Sequence, residues 1–155
     1  MKKMPKVDAY DPVIYPRMLW VAGQVEGLDK MFIFNKMEDT SEEDPDGYKS
    51  LLYESDHGTG VLVTVPVTKK SDRTKGALVI ILDWDALQGG DEAHEAVHAA
   101  DYIFDELGMY TQSFANHNEQ YAYLVGWIAG CISKTIIKLK QYDTRRESDD
   151  VEDRA

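Results

Sequence analysis

The chain has one cysteine among its 155 residues, which excludes an internal disulfide, so nothing in it asks for an oxidising compartment. Cationic side chains are also short: 17 Lys and Arg stand against 28 Asp and Glu, a formal net charge of −11. Nucleic acid and anionic membrane are recognised by clustered Lys and Arg, so neither is expected as a partner. No apolar leader follows Met1-Lys2-Lys3, because Pro5, Lys6, Asp8 and Asp11 interrupt it. The uncharged apolar stretch at 121–132 runs about twelve residues, too few to span a bilayer, and reads as a core helix. A cytoplasmic protein is expected. Also missing are a Gly-rich phosphate loop, a GxSxG elbow and a CxxC pair. Phosphate-cradle, serine-nucleophile and dithiol chemistry therefore have no visible apparatus.

What the chain does carry is His94-Glu95-Ala96-Val97-His98, an HExxH string. On a helix, residues four apart differ by about 40° around the axis, so both imidazoles project from one side about one turn apart. One Zn²⁺ needs that spacing from two nitrogen ligands. Glu95 points elsewhere on the helix, beside the metal, where the general base for a zinc-activated water belongs. The ordinary alternative is two half-exposed polar residues flanking a buried stripe.

The surroundings favour a helix over about 92–107. Gly89 and Gly90 break the chain, Asp91 can cap, Glu92 suits the helix start, and Gly108 stands at C′. Ala93, Ala96, Val97, Ala100, Ile103, Phe104 and Leu107 supply a buried stripe, with His94, His98, Asp101 and Asp105 at its edge. A second helical run covers about 119–141. Glu119, Ala122, Gly126 and Gly130 share one of its faces at offsets of 0, 3, 7 and 11. Glycine costs a helix about 1 kcal/mol, so two in line suggest close approach of another element. Were that element the alanine face of the HExxH helix, Glu119 would come within reach of both histidines as third ligand.

These residues resemble the zincin metallopeptidases, and among them the gluzincins, in which HExxH on one helix is completed by a Glu on a following helix. Glu119 lies 21 residues beyond His98, a separation like that in thermolysin-type enzymes. The resemblance covers 94–98, Glu119 and the order of elements around them. It implies His94, His98 and Glu119 as zinc ligands and Glu95 as general base. Thermolysin-like enzymes place an Asp four residues after the ligand Glu, whereas this chain has Tyr123, so orienting support falls to Asp101 or Tyr123. No metzincin GxxH follows His98. The chain is also similar to small uncharacterised proteins of phage and gut-bacterial genomes that share an HExxH-like string and an "AYLxGWI" run.

Four strands are expected, at 17–25 (RMLWVAGQV), 48–54, 60–68 (GVLVTVPVT) and 76–84 (GALVIILDW), with a short helix at 28–37. Residues 56–60 read as a hairpin turn and 69–75 as another. The predicted fold is α+β, a mainly antiparallel four-stranded sheet with the HExxH helix and a second core helix on one face. By analogy with zincins, the 76–85 segment edges a cleft and pairs with extended substrate. A single domain at 1–142 and an acidic, disordered tail at 143–155 are expected. The acidic stretch 38–47 (EDTSEEDPDG) lacks a hydrophobic pattern and reads as a solvated loop; a calcium loop is the sharper alternative, but its residues do not fit the EF-hand template. His117 is an alternative ligand, and Tyr110, Tyr121 and Tyr123 are candidate oxyanion donors; His57 reads as an exposed turn residue. Two functions of different class follow. One is a zinc metallopeptidase-like hydrolase acting on a peptide or protein. The other is a zincin-fold metal-binding or interaction protein, as of a phage or mobile element, without turnover.

Overall fold

A computed structural model describes residues 5–35 and 41–152, the segment 144–152 as helical backbone only. Its element order is β1 (Val7–Tyr10), β2 (Met18–Ala22), a 3₁₀ turn (Leu28–Lys30), β3 (Phe32–Phe34), α1 (Tyr48–His57), β4 (Leu62–Lys69), β5 (Lys75–Ile81), α2 (Asp91–Glu106), a second 3₁₀ turn (Phe114–Asn116) and α3 (Glu119–Glu152). The strands form one sheet in the order β1-β2-β5-β4-β3. β2 and β5 run parallel and the other pairs antiparallel. The fold is α+β, with one mixed five-stranded sheet and three helices.

Alternation along the central strands sends side chains to two cores. Leu19, Val21, Ala77, Val79 and Ile81 pack against α2 and α3. Trp20, Ala22, Leu78, Ile80, Val65 and Val67 pack on the other face with Leu28, Phe32, Phe34 and Leu51 of α1. Helices therefore cover both faces of the sheet, not one as expected. β2 and β5 lie so close that a Cβ on Gly76 would overlap the Met18 carbonyl oxygen.

Three expectations are corrected here. Residues 48–54, expected as a strand, belong to α1, because Tyr48, Leu51 and Leu52 fall at helical spacing and Asp44 satisfies the helix start. Asp44 is buried and accepts the Lys49 and Ser50 amides at 3.0 and 2.8 Å and the Ser50 hydroxyl at 2.6 Å. Burial alone would raise its pKa, but the hydrogen bonds from Ser50 and Lys49 outweigh that and hold it below the ordinary carboxylate value. Asp44 thus serves as a helix cap within the acidic stretch read as a solvated loop, of which 38–40 lie outside the described residues. The 56–60 turn, likewise, is the end of α1 and its Gly58 cap, not a hairpin.

The helix expected at 28–37 is a single 3₁₀ turn followed by β3, in which Phe32 and Phe34 are buried and Ile33 is exposed, a period of two. Residues 36 and 37 lie outside the described residues. β1 had no expectation attached, being short and polar. It is tied to α3 by Tyr10 and Asp8, whose oxygens each lie 2.8 Å from the Thr135 hydroxyl.

α3 carries the expected core helix and continues through the acidic segment as far as Glu152. Its stretch Glu119–Asp143 is long and apolar enough to cross a membrane by length and composition. In the fold, Leu124, Ile128, Ile132 and Ile136 of that stretch are buried against the sheet and α2.

Candidate metal centre

α2 starts after Gly90, whose φ of 104° suits only glycine, and Asp91 and Glu92 lie in its first turn, where acids favour the helix dipole. Its buried face holds Glu95, Ala96, Ala99, Ala100, Ile103 and Phe104. Ala93 and Val97, expected inside, are exposed. The helix is thus turned towards Glu95. The small alanines let α2 lie close on the sheet, and Thr64 of β4 meets the carboxylate that this rotation brings down.

The rotation separates the motif into two levels. Glu95 is 7% exposed; the His94 side chain above it is 70% exposed. The Thr64 hydroxyl lies 2.7 Å from Glu95 Oε2 and 3.2 Å from the Glu95 main-chain oxygen. Glu95 Oε1 faces the other way, 3.8 Å from His94 Nε2. The two histidine Nε2 atoms lie 3.1 Å apart, with the rings edge-on at 73°. One ligand atom from each of His94, Glu95 and His98 lies within 4.8 Å of the others.

These donors fit a zinc ion. Two nitrogens about 2.0–2.1 Å from a tetrahedral Zn²⁺ stand about 3.3–3.4 Å apart, near the 3.1 Å observed, so little movement separates the free pair from a chelating one. The set is two imidazoles and one carboxylate, borderline-soft with a hard oxygen.

Glu119 is the first residue of α3 and exposed. The reasoning that would bring it to the histidines is overturned. A Cβ on Gly126 or Gly130 would meet nothing within 4 Å, so the face they share with Glu119 and Ala122 turns to solvent and not towards α2. α2 and α3 pack through other residues, including Phe104 against Tyr121 at 5.3 Å between ring centres. The Glu119 carboxylate is not in the three-residue cluster. His117 has a left-handed φ of 61° at the end of the 3₁₀ turn and is exposed.

Asp101, one turn after His98, is engaged with α3: the Tyr121 hydroxyl donates to its Oδ1 at 2.6 Å. Burial, and then the Asp101 carboxylate, push the Tyr121 pKa up, so the phenol remains a donor. Tyr123 and Tyr110 are exposed, 75% and 84%. His57 is exposed as expected and stacks on Tyr53. Thr64 had no signal in the sequence, since a lone Thr inside a strand says nothing of which helix residue will lie over it. No protein-family model, no curated protein and no solved structure matches the chain, so the likeness to gluzincins rests on the motif and its spacing.

Proposed function

We propose that the protein is a zinc-dependent hydrolase of the metallopeptidase type, acting on a peptide or protein. His94 and His98 would hold the metal, Glu119 is the proposed third ligand from the neighbouring helix, and Glu95 is the proposed general base. The observation that carries this reading is the division of labour in the Glu95 carboxylate: one oxygen is tied to Thr64, and the other is left 3.8 Å from His94 Nε2. Zn²⁺ held there would supply Lewis acidity that activates a water. Glu95 Oε1 would be the atom that takes the proton, and burial keeps the carboxylate in one orientation. Tyr121, fixed as a donor to Asp101, holds the two helices at a constant spacing beside the site.

A second reading, a metal-binding or interaction protein without turnover, is favoured by one observation. The His94 side chain is 70% exposed on the outer side of α2, where little wall surrounds a substrate.

One set of measurements separates the two. Purified protein should bind about one zinc per chain, and His94→Ala or His98→Ala should abolish it. Glu95→Gln should keep zinc and fold while chelator-sensitive peptide cleavage falls by about 10²–10⁴. Stoichiometric zinc in the double histidine variant would remove the metal site, and cleavage unchanged by Glu95→Gln would remove the mechanism. Zinc-loaded protein that cleaves nothing in a broad peptide library would select the second reading.

A further inference from the structure

We propose that an apolar groove of the molecule is a docking site for a cationic amphipathic segment of a partner protein. Its apolar side chains would seat between the β1–β2 loop and the start of α3, and its Lys or Arg would reach an acidic rim. The groove encloses about 600 Å³ and is lined by Ile14, Tyr15, Leu107, Met109, Tyr123 and Trp127. These come from three separate parts of the chain. Ile14 is 77% exposed and Tyr123 75%, so the apolar surface is continuous and open to solvent.

The backbone at its edge is strained in a way that displays this surface. Val13 has a φ of 64°, a left-handed conformation that a β-branched residue adopts at a cost of about 1–3 kcal/mol. Asp11 Oδ1 accepts the Val13 amide at 2.7 Å, and Pro12 O accepts the Ile14 amide at 2.7 Å, which locks the turn. The result is Val13 at 84% exposure beside Ile14, two aliphatic side chains largely exposed among the described residues. Beneath them the floor is rigid, since Tyr15 packs on Phe104 at 5.9 Å and Phe104 on Tyr121. A preformed apolar groove loses little entropy on binding.

Charge decides what fits. The segment 101–133 contains no Lys or Arg. Asp101 and Asp105 line a cleft that adjoins the groove through Met109. Among the described residues no Lys or Arg lines the groove or the adjoining cleft, and Arg17, two residues after Tyr15, is paired with Glu106 at 3.3 Å. A second copy of a chain with net charge −11 would bring like charge to this rim, as would anionic lipid. An apolar segment carrying cations gains on both counts, with the charges steering encounter and the apolar residues holding it.

The test uses three labelled peptides in fluorescence anisotropy: an amphipathic helix of Leu and Lys, its twin with Glu for every Lys, and its twin with Ser for every Leu. The Leu/Lys peptide should bind about tenfold or more tighter than either twin and weaken with added salt. Ile14→Ser with Tyr123→Ser, both exposed and so compatible with folding, should reduce binding about tenfold or more. Asp105→Asn should reduce both affinity and salt dependence, whereas Asp85→Asn, the same charge change outside the groove, should not. Equal binding of the Lys and Glu peptides, or binding indifferent to the Ile14 and Tyr123 changes, would overturn the proposal. Self-association abolished by Ile14→Ser would instead make this face a contact between copies, and adsorption to phosphatidylcholine vesicles abolished by it would make it a lipid-facing surface; either overturns the assignment.

Discussion

Thr64 on β4 and Glu95 on α2 are joined twice, hydroxyl to carboxylate at 2.7 Å and hydroxyl to main-chain oxygen at 3.2 Å. A single strand residue thus fixes both the helix and the direction in which its acid points. Thr64→Val keeps the shape and removes the donor. Leaving a buried carboxylate short of a partner costs about 1–3 kcal/mol, to be read in urea unfolding, and Thr64→Ser should restore most of it. In the proposed zinc-dependent cleavage the same variant should lower kcat with little change in KM, because Thr64 would act by orienting Glu95 as the base. A Thr64→Val protein as stable and as active as the parent would mean that the bond is incidental.

Glu119 is the proposed third ligand and His117 its alternative. Two imidazoles alone bind zinc weakly, so Glu119→Ala should lower zinc affinity about tenfold or more, measured by competition with a chromogenic chelator, while His117→Ala leaves it within about threefold. Reversal of that order would make His117 the ligand. Affinity unchanged in both variants would point to Glu95 as the third donor, already within 4.8 Å of both histidines.

The cap on α1 should be lost only in strong acid. The folded pKa of Asp44 lies below its ordinary 3.8, so its contribution is fully present above that value and is lost as pH falls through the lowered one. At pH 7 Asp44→Ala should cost about 1 kcal/mol. The difference between variant and parent should shrink progressively in denaturant melts as the pH falls below 3.8. A gap that stays constant all the way into acid unfolding would show that the carboxylate's charge is not what caps the helix.

Gly76→Ala should be among the most damaging single changes. The added methyl would strike the Met18 carbonyl in the parallel pairing of β2 with β5, at the middle of the sheet. The strand cannot move without breaking its neighbours, so a loss of about 3 kcal/mol or more, or failure to fold, is expected. Gly126→Ala, with open space around it, should instead stabilise α3 by about 1 kcal/mol in the same thermal melts.

Those two glycines illustrate what the sequence could and could not say. The β4 and β5 strands and both long helices were legible because their signals are local: alternation, caps, and Gly breaks at 89–90 and 108. α1 was misread because its start is satisfied from outside, by Asp44, three residues before the nearest glycine. The rotation of α2 was not legible either. Glu95 counts as polar in any periodicity argument, yet Thr64 makes its burial affordable, and Val97 is exposed in exchange. Gly126 and Gly130 look alike on paper whether a partner approaches or not. The histidine pair was legible because i, i+4 proximity is a property of the helix itself; the third ligand depends on how two helices pack, which one-dimensional spacing does not encode.

The bonds from Thr135 to Tyr10 and Asp8 close the chain across 125 and 127 residues. β2, at the centre of the sheet, likewise waits for β5 to form its parallel pairing. A ribosome therefore releases most of the polypeptide before either contact can form, and the early strand spends its first seconds with an unsatisfied edge. Contacts this distant in sequence slow the search for the native arrangement. Refolding should be slow for a chain of this length and rich in aggregation at high concentration, and removal of the C-terminal helix should leave β1 undocked even though it is the first strand made.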